Sequence, residues 1–411
     1  MTAPRRNIAA LTAVQVFRFA AALAVSVLLA RGLGVDTFGR YATIATIAHL
    51  LGAVANLGIH QLLPRTLARE APGEHARWTR TALRATTLGG LCATVALMIW
   101  AMSRGPDWVA PALMAGLGLA AMSLVNVYMA VFEGLRRMQL QLVGVAAGRT
   151  VVIAGTAGVL AIGGGLVSVY AVQLAAWLVT LALFHRAATT VLQPGSGARP
   201  LRPLLTSALP FAGFVLFAAV QERVDIVIID AFHGAHAVGL YRAATIFLIS
   251  VPVSARIVAT AAYPALAQVH ARGQTITPSL DRLLRLALAT GLAFAVGGVV
   301  TGPQLLADVM GPEYAAAGPL MMLGACMLPP TFARITLDLG LVATDRERPR
   351  SVGMIGVAVA NVVLNLAVVP VFGAPGALVT TLLCVILVFG AHFHWLPAMF
   401  VSAIVGGLGG A

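Results

Sequence analysis

Apolar residues run in long windows along this chain, near 8–30, 42–63, 85–103, 108–132, 142–162, 166–184, 204–229, 239–262, 283–301, 318–342, 352–371 and 375–396. Each is close to or above the roughly 17 residues that cross a bilayer as a helix, so the pattern predicts about twelve transmembrane helices, six per half. An even number per half gives both halves the same orientation, a parallel repeat about an axis along the membrane normal. The one stretch with linker composition, R-A-A-T-T-V-L-Q-P-G-S-G-A-R-P-L-R-P at 186–203, joins the sixth and seventh windows. The predicted organisation is a six-helix bundle over 1–190, a cytoplasmic linker over 191–203, a second six-helix bundle over 204–396 and a Gly-rich apolar tail over 397–411.

The polar interruptions support a duplication. Residues 31–41 read R-G-L-G-V-D-T-F-G-R-Y and residues 231–241 read A-F-H-G-A-H-A-V-G-L-Y, so Gly34, Gly39 and Tyr41 meet Gly234, Gly239 and Tyr241 at an offset of 200. Pro64 meets Pro264 at the same offset. Identity between 31–64 and 231–264 is only 5 of 34 positions, so the repeat rests on rare turn residues and matching hydropathy. Both Gly-x4-Gly-x-Tyr stretches are predicted as loops between spans. Prolines 210, 252, 329, 330 and 370 lie within or beside spans, where each frees a backbone carbonyl and permits a kink, although such residues are also ordinary in membrane helices.

Composition makes the membrane assignment firm. Hydrophobic residues are 59% and charged residues only 10%, with a mean hydropathy of +0.92; soluble domains hold about 25% charged residues. All 27 basic residues are Arg. Eighteen of them, from Arg5 and Arg6 to Arg346, Arg348 and Arg350, fall in every second inter-span segment, whereas the opposite segments hold only Arg31, Arg40, Arg104 and Arg242. The positive-inside rule then places both termini in the cytoplasm. The net charge of +13 is thereby a topology signal, and nucleic-acid binding is disfavoured because no basic soluble domain exists to carry it. Cys92, Cys326 and Cys384 lie inside apolar windows without paired spacing, which gives no disulfide or zinc pattern. Short loops leave no room for a soluble catalytic domain, and no cofactor motif is present.

Chemistry within the membrane falls to a few ionisable residues, which cost about 2.5–3.5 kcal/mol each on insertion scales and so normally face a bundle interior. They are Arg18, Arg149, Arg223, Arg256 and Arg334 with Glu222, Asp225 and Asp338, an excess of two positive charges. Arg18 shares a face with Asn7, Leu11 and Gln15 and has no acid near it on its own helix; a ligand for an anionic head group is the favoured reading, and a structural partner for Asp225 or Glu222 the alternative. Glu222, Arg223 and Asp225 are candidates for gating or coupling, equally explained as a local charge cluster. Arg334 and Asp338 stand at i, i+4 and can neutralise each other. Arg149 and Arg256 lie nearer span ends, where snorkelling is cheap. Asn126, Gln173, Asn361 and Asn365 are candidate sugar contacts, with interhelical hydrogen bonding the favoured use. His233 and His236 form H-x-x-H without a third metal ligand nearby.

The motifs A-R-G-L-G-V-D-T-F-G-R-Y at 30–41, N-L-G-I-H-Q-L-L-P-R at 56–65, F-E-G-L-R-R at 132–137, D-I-V-I-I-D-A-F-H-G-A-H-A-V-G-L-Y at 225–241, Y-P-A-L at 263–266 and N-L-A-V-V-P-V-F-G-A-P-G-A at 365–377 carry a resemblance over nearly the whole chain. The chain resembles the polysaccharide-transporter branch, the Wzx-type O-antigen and oligosaccharide flippases, of the multidrug/oligosaccharidyl-lipid/polysaccharide exporter (MOP) superfamily. The resemblance implies an all-α integral membrane protein with two six-helix bundles around a central cavity. It also implies translocation of undecaprenyl-diphosphate-linked oligosaccharide across the bacterial inner membrane, with a cationic cavity for the head group. Arg18 matches the place of a first-helix basic residue in that family. Lipid-II flippases are similar but usually carry two further helices, which this chain lacks. Partners implied are the lipid-linked glycan, membrane lipid, and polysaccharide polymerase and chain-length machinery, with no nucleic acid. Two other classes stand beside this expectation: a drug or cation antiporter, resting on Glu222 and Asp225, and a membrane-embedded glycosyltransferase or ligase, for which Asp36, Asp107, Asp230, Asp308 and Glu313 are scattered over short loops.

Overall fold

The computed structural model describes residues 3–56, 58–193, 197–344 and 347–395, with side chains described from residue 22 onward except at 210, 214, 347–354 and 391–395. The apolar tail from residue 396 lies outside the described residues. Among them the chain is all helical: α1 (Ala3–Asn56), α2 (Ile59–Leu67), α3 (Pro72–Arg104), α4 (Pro106–Gly134), α5 (Leu140–Ala161), α6 (Leu166–Thr189), α7 (Leu201–Ser250), α8 (Pro252–Ala271), α9 (Thr277–Val300), α10 (Gly302–Met310), a 3-10 turn (Pro312–Ala317), α11 (Gly318–Ala325), α12 (Leu328–Ala343) and α13 (Glu347–Trp395). Helix is what lipid demands, because it satisfies the backbone N–H and C=O groups within the segment. Proline opens α3, α4 and α8 at a position where its missing N–H costs nothing.

Among the described residues eight helical stretches are long and apolar enough to cross a membrane, and a ninth is a pair, Pro312–Ala325 with Leu328–Ala343, bent by 42°. Three of the long ones are each two segments joined at a single non-helical glycine: Gly34 (φ 74°, ψ 168°), Gly234 (φ 78°, ψ −179°) and Gly373 (φ 60°, ψ −142°). Counting both sides of each break recovers the twelve predicted segments. The Gly-x4-Gly-x-Tyr stretches are therefore not loops. Helix continues through 31–41 and 231–241, and only Gly34 and Gly234 depart from it, in a backbone region open essentially to glycine alone.

Side chains mark where lipid lies. On α3, Leu88, Leu91, Val95, Ile99 and Met102 are all exposed and recur at helical spacing on one face. Arg84 and Arg104, both exposed, flank the strip along the helix, Arg84 on its face and Arg104 on the far side. The twenty residue steps from one to the other rise about 30 Å, which is the thickness of a bilayer's hydrocarbon core. The opposite face of α3 meets α4 through small residues: a Cβ on Gly90 would lie 3.0 Å from Ala120 Cα, and one on Gly116 would lie 2.6 Å from a Thr94 methyl. Close backbone approach at small residues is how apolar helices gain packing in lipid, where no hydrophobic drive separates them from their solvent.

The described residues form two compact units, residues 31–227 and residues 1–30 with 228–411. Within the first, Ile59, Leu63 and Leu67 of α2, Ala82 and Ala85 of α3 and Val127, Ala130 and Val131 of α4 bury a core together with Leu204 and Ala208 of α7. A second core in that unit gathers Ile44, Leu97, Ala101, Trp108, Ala112 and Tyr170. Within the other unit, Leu266 of α8, Ile276 beside α9, Leu280 and Leu284 of α9 and Ala333, Leu337 and Leu341 of α12 form the corresponding core.

Candidate functional site

The first segment of α7 carries the densest charge cluster predicted from the sequence, and three contacts fix its position. Leu204 and Ala208 are buried against α2, α3 and α4. Phe211 sits beneath the Arg65 guanidinium, 5.1 Å from ring centroid to its carbon. Gly58, at the break between α1 and α2, has φ 68°, and a Cβ there would stand 2.6 Å from Phe211 Cβ and 2.8 Å from the Ala212 nitrogen. Glycine is thus needed at 58 both for its left-handed backbone and for the approach of α7. The preceding linker is pinned as well. Arg199 donates to one Glu74 carboxylate oxygen at 2.8 Å, Arg77 donates to the other at 2.9 Å, and the Thr81 hydroxyl donates to the Arg199 carbonyl at 2.9 Å.

Glu222, Arg223 and Asp225 follow on α7 within a single turn. Glu222 is exposed, while Arg223 and Asp225 are half-buried; a carboxylate oxygen of Asp225 accepts the Ile226 N–H at 2.8 Å. His49 on α1 lies within electrostatic reach of both Arg223 and Glu222. The arrangement joins a guanidinium, which can take two oxygens of an anion at once, to an acid and an imidazole, the groups proteins use to move protons.

The remaining predicted residues distribute between the units. Arg149 is half-buried on α5 in the same unit as Arg223. Arg256 is exposed on α8 in the other unit. There too Arg334 donates to Asp338 at 3.0 Å, the i, i+4 pair that their spacing predicts, with both side chains mostly buried. Gln15 and Arg18 stand on the first segment of α1, but their side chains lie outside the described residues. Among the sugar-contact candidates, three are engaged in hydrogen bonds of the fold. Gln173 donates to the Tyr41 hydroxyl at 2.8 Å, Asn365 to the Asn361 carbonyl at 2.8 Å, and Asn361 to the Cys384 thiol at 3.6 Å. Thr380 donates to the side-chain oxygen of Asn365 at 3.0 Å and links the two segments of α13 across the Gly373 break. Asn126 is half-buried on α4. His233 meets the Val369 carbonyl at 2.9 Å with its Nε2 and packs its ring over Gly373. Among the described residues no group of three His, Cys, Asp or Glu is placed to hold a metal.

Two residues escape the sequence reasoning. His49 lies in an apolar window, and its signal is that of any titratable residue at membrane depth. Asp230, expected in a short loop, is helical and 5% exposed, just before the Gly234 break. A repeat of local chemistry escapes it as well: Gly105-Pro106 between α3 and α4 (φ 118°, ψ 168° at Gly105) and Gly311-Pro312 after α10 (φ 122°, ψ 157° at Gly311) have nearly the same backbone. An acid and a buried aromatic follow in each, Asp107-Trp108 and Glu313-Tyr314.

Solved structures share this fold. A lipid II flippase, MurJ, in an inward closed conformation aligns with a TM-score of 0.76 at 11% identity, covering 94% of this chain and 87% of that one. A multidrug resistance MATE family transporter of the MOP superfamily, inward-facing, aligns with a TM-score of 0.70 at 13% identity, covering 94% and 95%. A MOP superfamily transporter from Pyrococcus furiosus, described by the reverse polarity of its binding pocket, gives 0.60 at 14% identity, covering 94% and 92%. The class is thereby defined as an all-α, multi-pass membrane protein with the MOP transporter fold. Residues 5–270 match the family described as polysaccharide biosynthesis protein, and the chain belongs to that family, the polysaccharide-transporter branch of the superfamily. No curated protein matches the chain.

Proposed function

We propose that this transporter flips undecaprenyl-diphosphate-linked oligosaccharide across the bacterial inner membrane for surface polysaccharide synthesis. Two six-helix lobes, 1–190 and 204–396, alternate in access about the 191–203 linker, with both termini cytoplasmic. The observation that carries this reading is the sign of the charge held within the spans. Arg334 is matched by Asp338, and the other arginines of the predicted spans, Arg18, Arg149, Arg223 and Arg256, outnumber the acids Glu222 and Asp225 by two. An excess of about two positive charges complements a diphosphate diester, which carries about two negative ones, and the planar guanidinium fork suits its oxygens. In this reading Arg18 and Arg223 hold the diphosphate, with Gln15, Arg149, Arg256 and Arg334 as further head-group contacts. Glu222, Asp225 and Asp338 gate or couple the motion. The family's role in polysaccharide biosynthesis supports the glycan, and the likeness to a lipid II flippase supports a lipid-linked cargo. Polymerase and chain-length proteins follow as partners on the same reading.

Depletion of the protein tests it. Lipid-linked oligosaccharide should then accumulate in the cytoplasmic leaflet while surface polymer is lost. An unchanged leaflet distribution contradicts the reading. Export of cationic drugs is a second reading, favoured by the electrostatic reach of Glu222 to His49 and by the MATE likeness. It predicts dye efflux that Glu222→Gln abolishes, whereas the flippase reading predicts no such efflux.

A further inference from the structure

α8 and α9 follow one another in the chain and meet at one end, where Leu266, Ile276 and Leu280 bury together. Farther along, each packs on α12 instead of on the other. A groove of about 130 Å³ is left between them, with the buried Phe332, Thr336 and Leu339 of α12 as its floor. One turn past Thr290 its far end is closed by Phe294 of α9 against Phe332, with ring centroids 6.0 Å apart. Residue size explains the space. Ala255 and Ala259 on α8 and Ala287 on α9 leave hollows in the walls, while Val258 and Leu286 stand exposed at the rim.

The groove has little to offer a polar ligand. Two of its hydroxyls are spent on their own helices, Ser254 donating to the Val251 carbonyl at 2.8 Å and Thr336 to the Phe332 carbonyl at 3.2 Å. It also lies at the depth of hydrocarbon. α9 lines it from Leu283, where the apolar window begins, to Thr290, a rise of about 10 Å within the roughly 15 Å of one leaflet. An apolar cavity of about 150 Å³ takes a single benzene ring, so this one has room for one chain and not for two abreast. The hollows favour a branched chain over a linear one. Ala255 and Ala259 stand about 6 Å apart along the helix, an interval comparable to that between the methyl branches on every fourth carbon of an isoprenoid chain. Charge stands at one mouth. Arg282 precedes Leu286 by four residues and so shares its side of α9, one turn toward the end where α8 and α9 meet. It is exposed, and among the described residues it makes no hydrogen bond or ion pair; the neighbouring Asp281 is taken by Arg285 at 2.6 Å. Its place at the edge of the apolar window is the level of lipid phosphates.

We propose that this groove binds an isoprenoid lipid phosphate, with its chain between α8 and α9 and its phosphate on Arg282. The proposal rests on the flippase reading above, to which it adds a seat for the tail of the cargo in the cytoplasmic leaflet. Equilibrium binding of undecaprenyl phosphate to the purified full chain in detergent tests it, with phosphatidylglycerol as the two-chain, unbranched comparison. Undecaprenyl phosphate should bind about tenfold more tightly. Ala255→Phe, which fills a hollow, should weaken its binding about tenfold, whereas Ala289→Phe, at an exposed position of α9 outside the groove, should leave it unchanged. Arg282→Gln should weaken it about fivefold. Phosphatidylglycerol binding as tightly, equal binding by the two Phe variants, or no loss in Arg282→Gln overturns the proposal. A measurement on the unaltered protein guards against misfolding of the variants. A prenyl phosphate with a photoreactive group on its chain should label α8 and α9 at the groove, and undecaprenyl phosphate but not phosphatidylglycerol should displace it; labelling elsewhere, or equal displacement by both lipids, contradicts the site. Both readouts use a carrier lipid without glycan and involve no transport, so their failure is distinct from failure of the flippase reading, which the leaflet distribution on depletion judges.

Discussion

The two glycine breaks at 34 and 234 share a backbone but not surroundings. Their φ values are 74° and 78° and their ψ values 168° and −179°. Beside the first, Gly32 packs so closely on Leu160 that a Cβ would stand 2.7 Å from a methyl. Beside the second, His233 reaches the Val369 carbonyl and covers Gly373. The next span along is interrupted in both halves, again by different means: a left-handed glycine at 58, and a proline at 252 after a helical Val251. The contrast teaches that the duplication survives as backbone geometry, while side chains have diverged into apolar packing on one side and hydrogen bonding on the other. That is why identity between the repeats is low although the breaks coincide.

Substitutions at these positions sharpen the comparison. The largest effect is expected from Gly58→Val, which combines a left-handed backbone with a clash against Phe211 and Ala212. It should cost about 3 kcal/mol or more and be seen as loss of folded protein on size-exclusion chromatography; a well-folded variant would mean that α7 does not depend on close approach there. Gly34→Ala and Gly234→Ala come next, at about 1–3 kcal/mol each. A Cβ at 234 meets no atom within 4 Å, so its cost is backbone strain alone. Similar Tm losses for the two variants would support one shared device, and a neutral Gly234→Ala would break the comparison. Asn365→Leu, which removes the fully buried partner of Thr380, should cost about 1 kcal/mol, the range of interhelical hydrogen bonds in membranes. Thermal unfolding beside Gln173→Leu would show whether the first unit relies on such a bond as much as the second. The smallest effect is expected from Glu74→Gln. It loosens Arg199 without touching a core, and should appear as faster tryptic cleavage near the linker with little change in Tm.

Much of this architecture is legible in the sequence. Hydropathy windows predict twelve segments, and twelve are present once α1, α7 and α13 are divided at their glycines. Polar residues at 31–41 and 231–241 read as loops because a polar run in water usually leaves the helix. Among membrane helices the same residues stay helical, and a single glycine supplies the break. Asp230 is misplaced for that reason. The Gly105-Pro106 and Gly311-Pro312 pair is invisible at an offset of 200 because the two lie 206 residues apart, and a fixed offset does not follow an insertion. Of the α7 cluster, Glu222, Arg223 and Asp225 are evident from their depth in a span. The electrostatic reach of that cluster to His49 is not, since a separation of more than 170 residues carries no trace of it.

Transport in proteoliposomes tests the central claim, that guanidinium groups at membrane depth carry an anionic lipid-linked glycan. The measurement is the rate at which undecaprenyl-diphosphate-linked oligosaccharide becomes accessible on the far leaflet, for the unaltered protein and for Arg223→Gln with its folded state checked by Tm. The account predicts rapid appearance with the unaltered protein and a loss of at least tenfold in the variant at unchanged Tm. Equal rates for the two proteins, or no movement above protein-free vesicles, would contradict it.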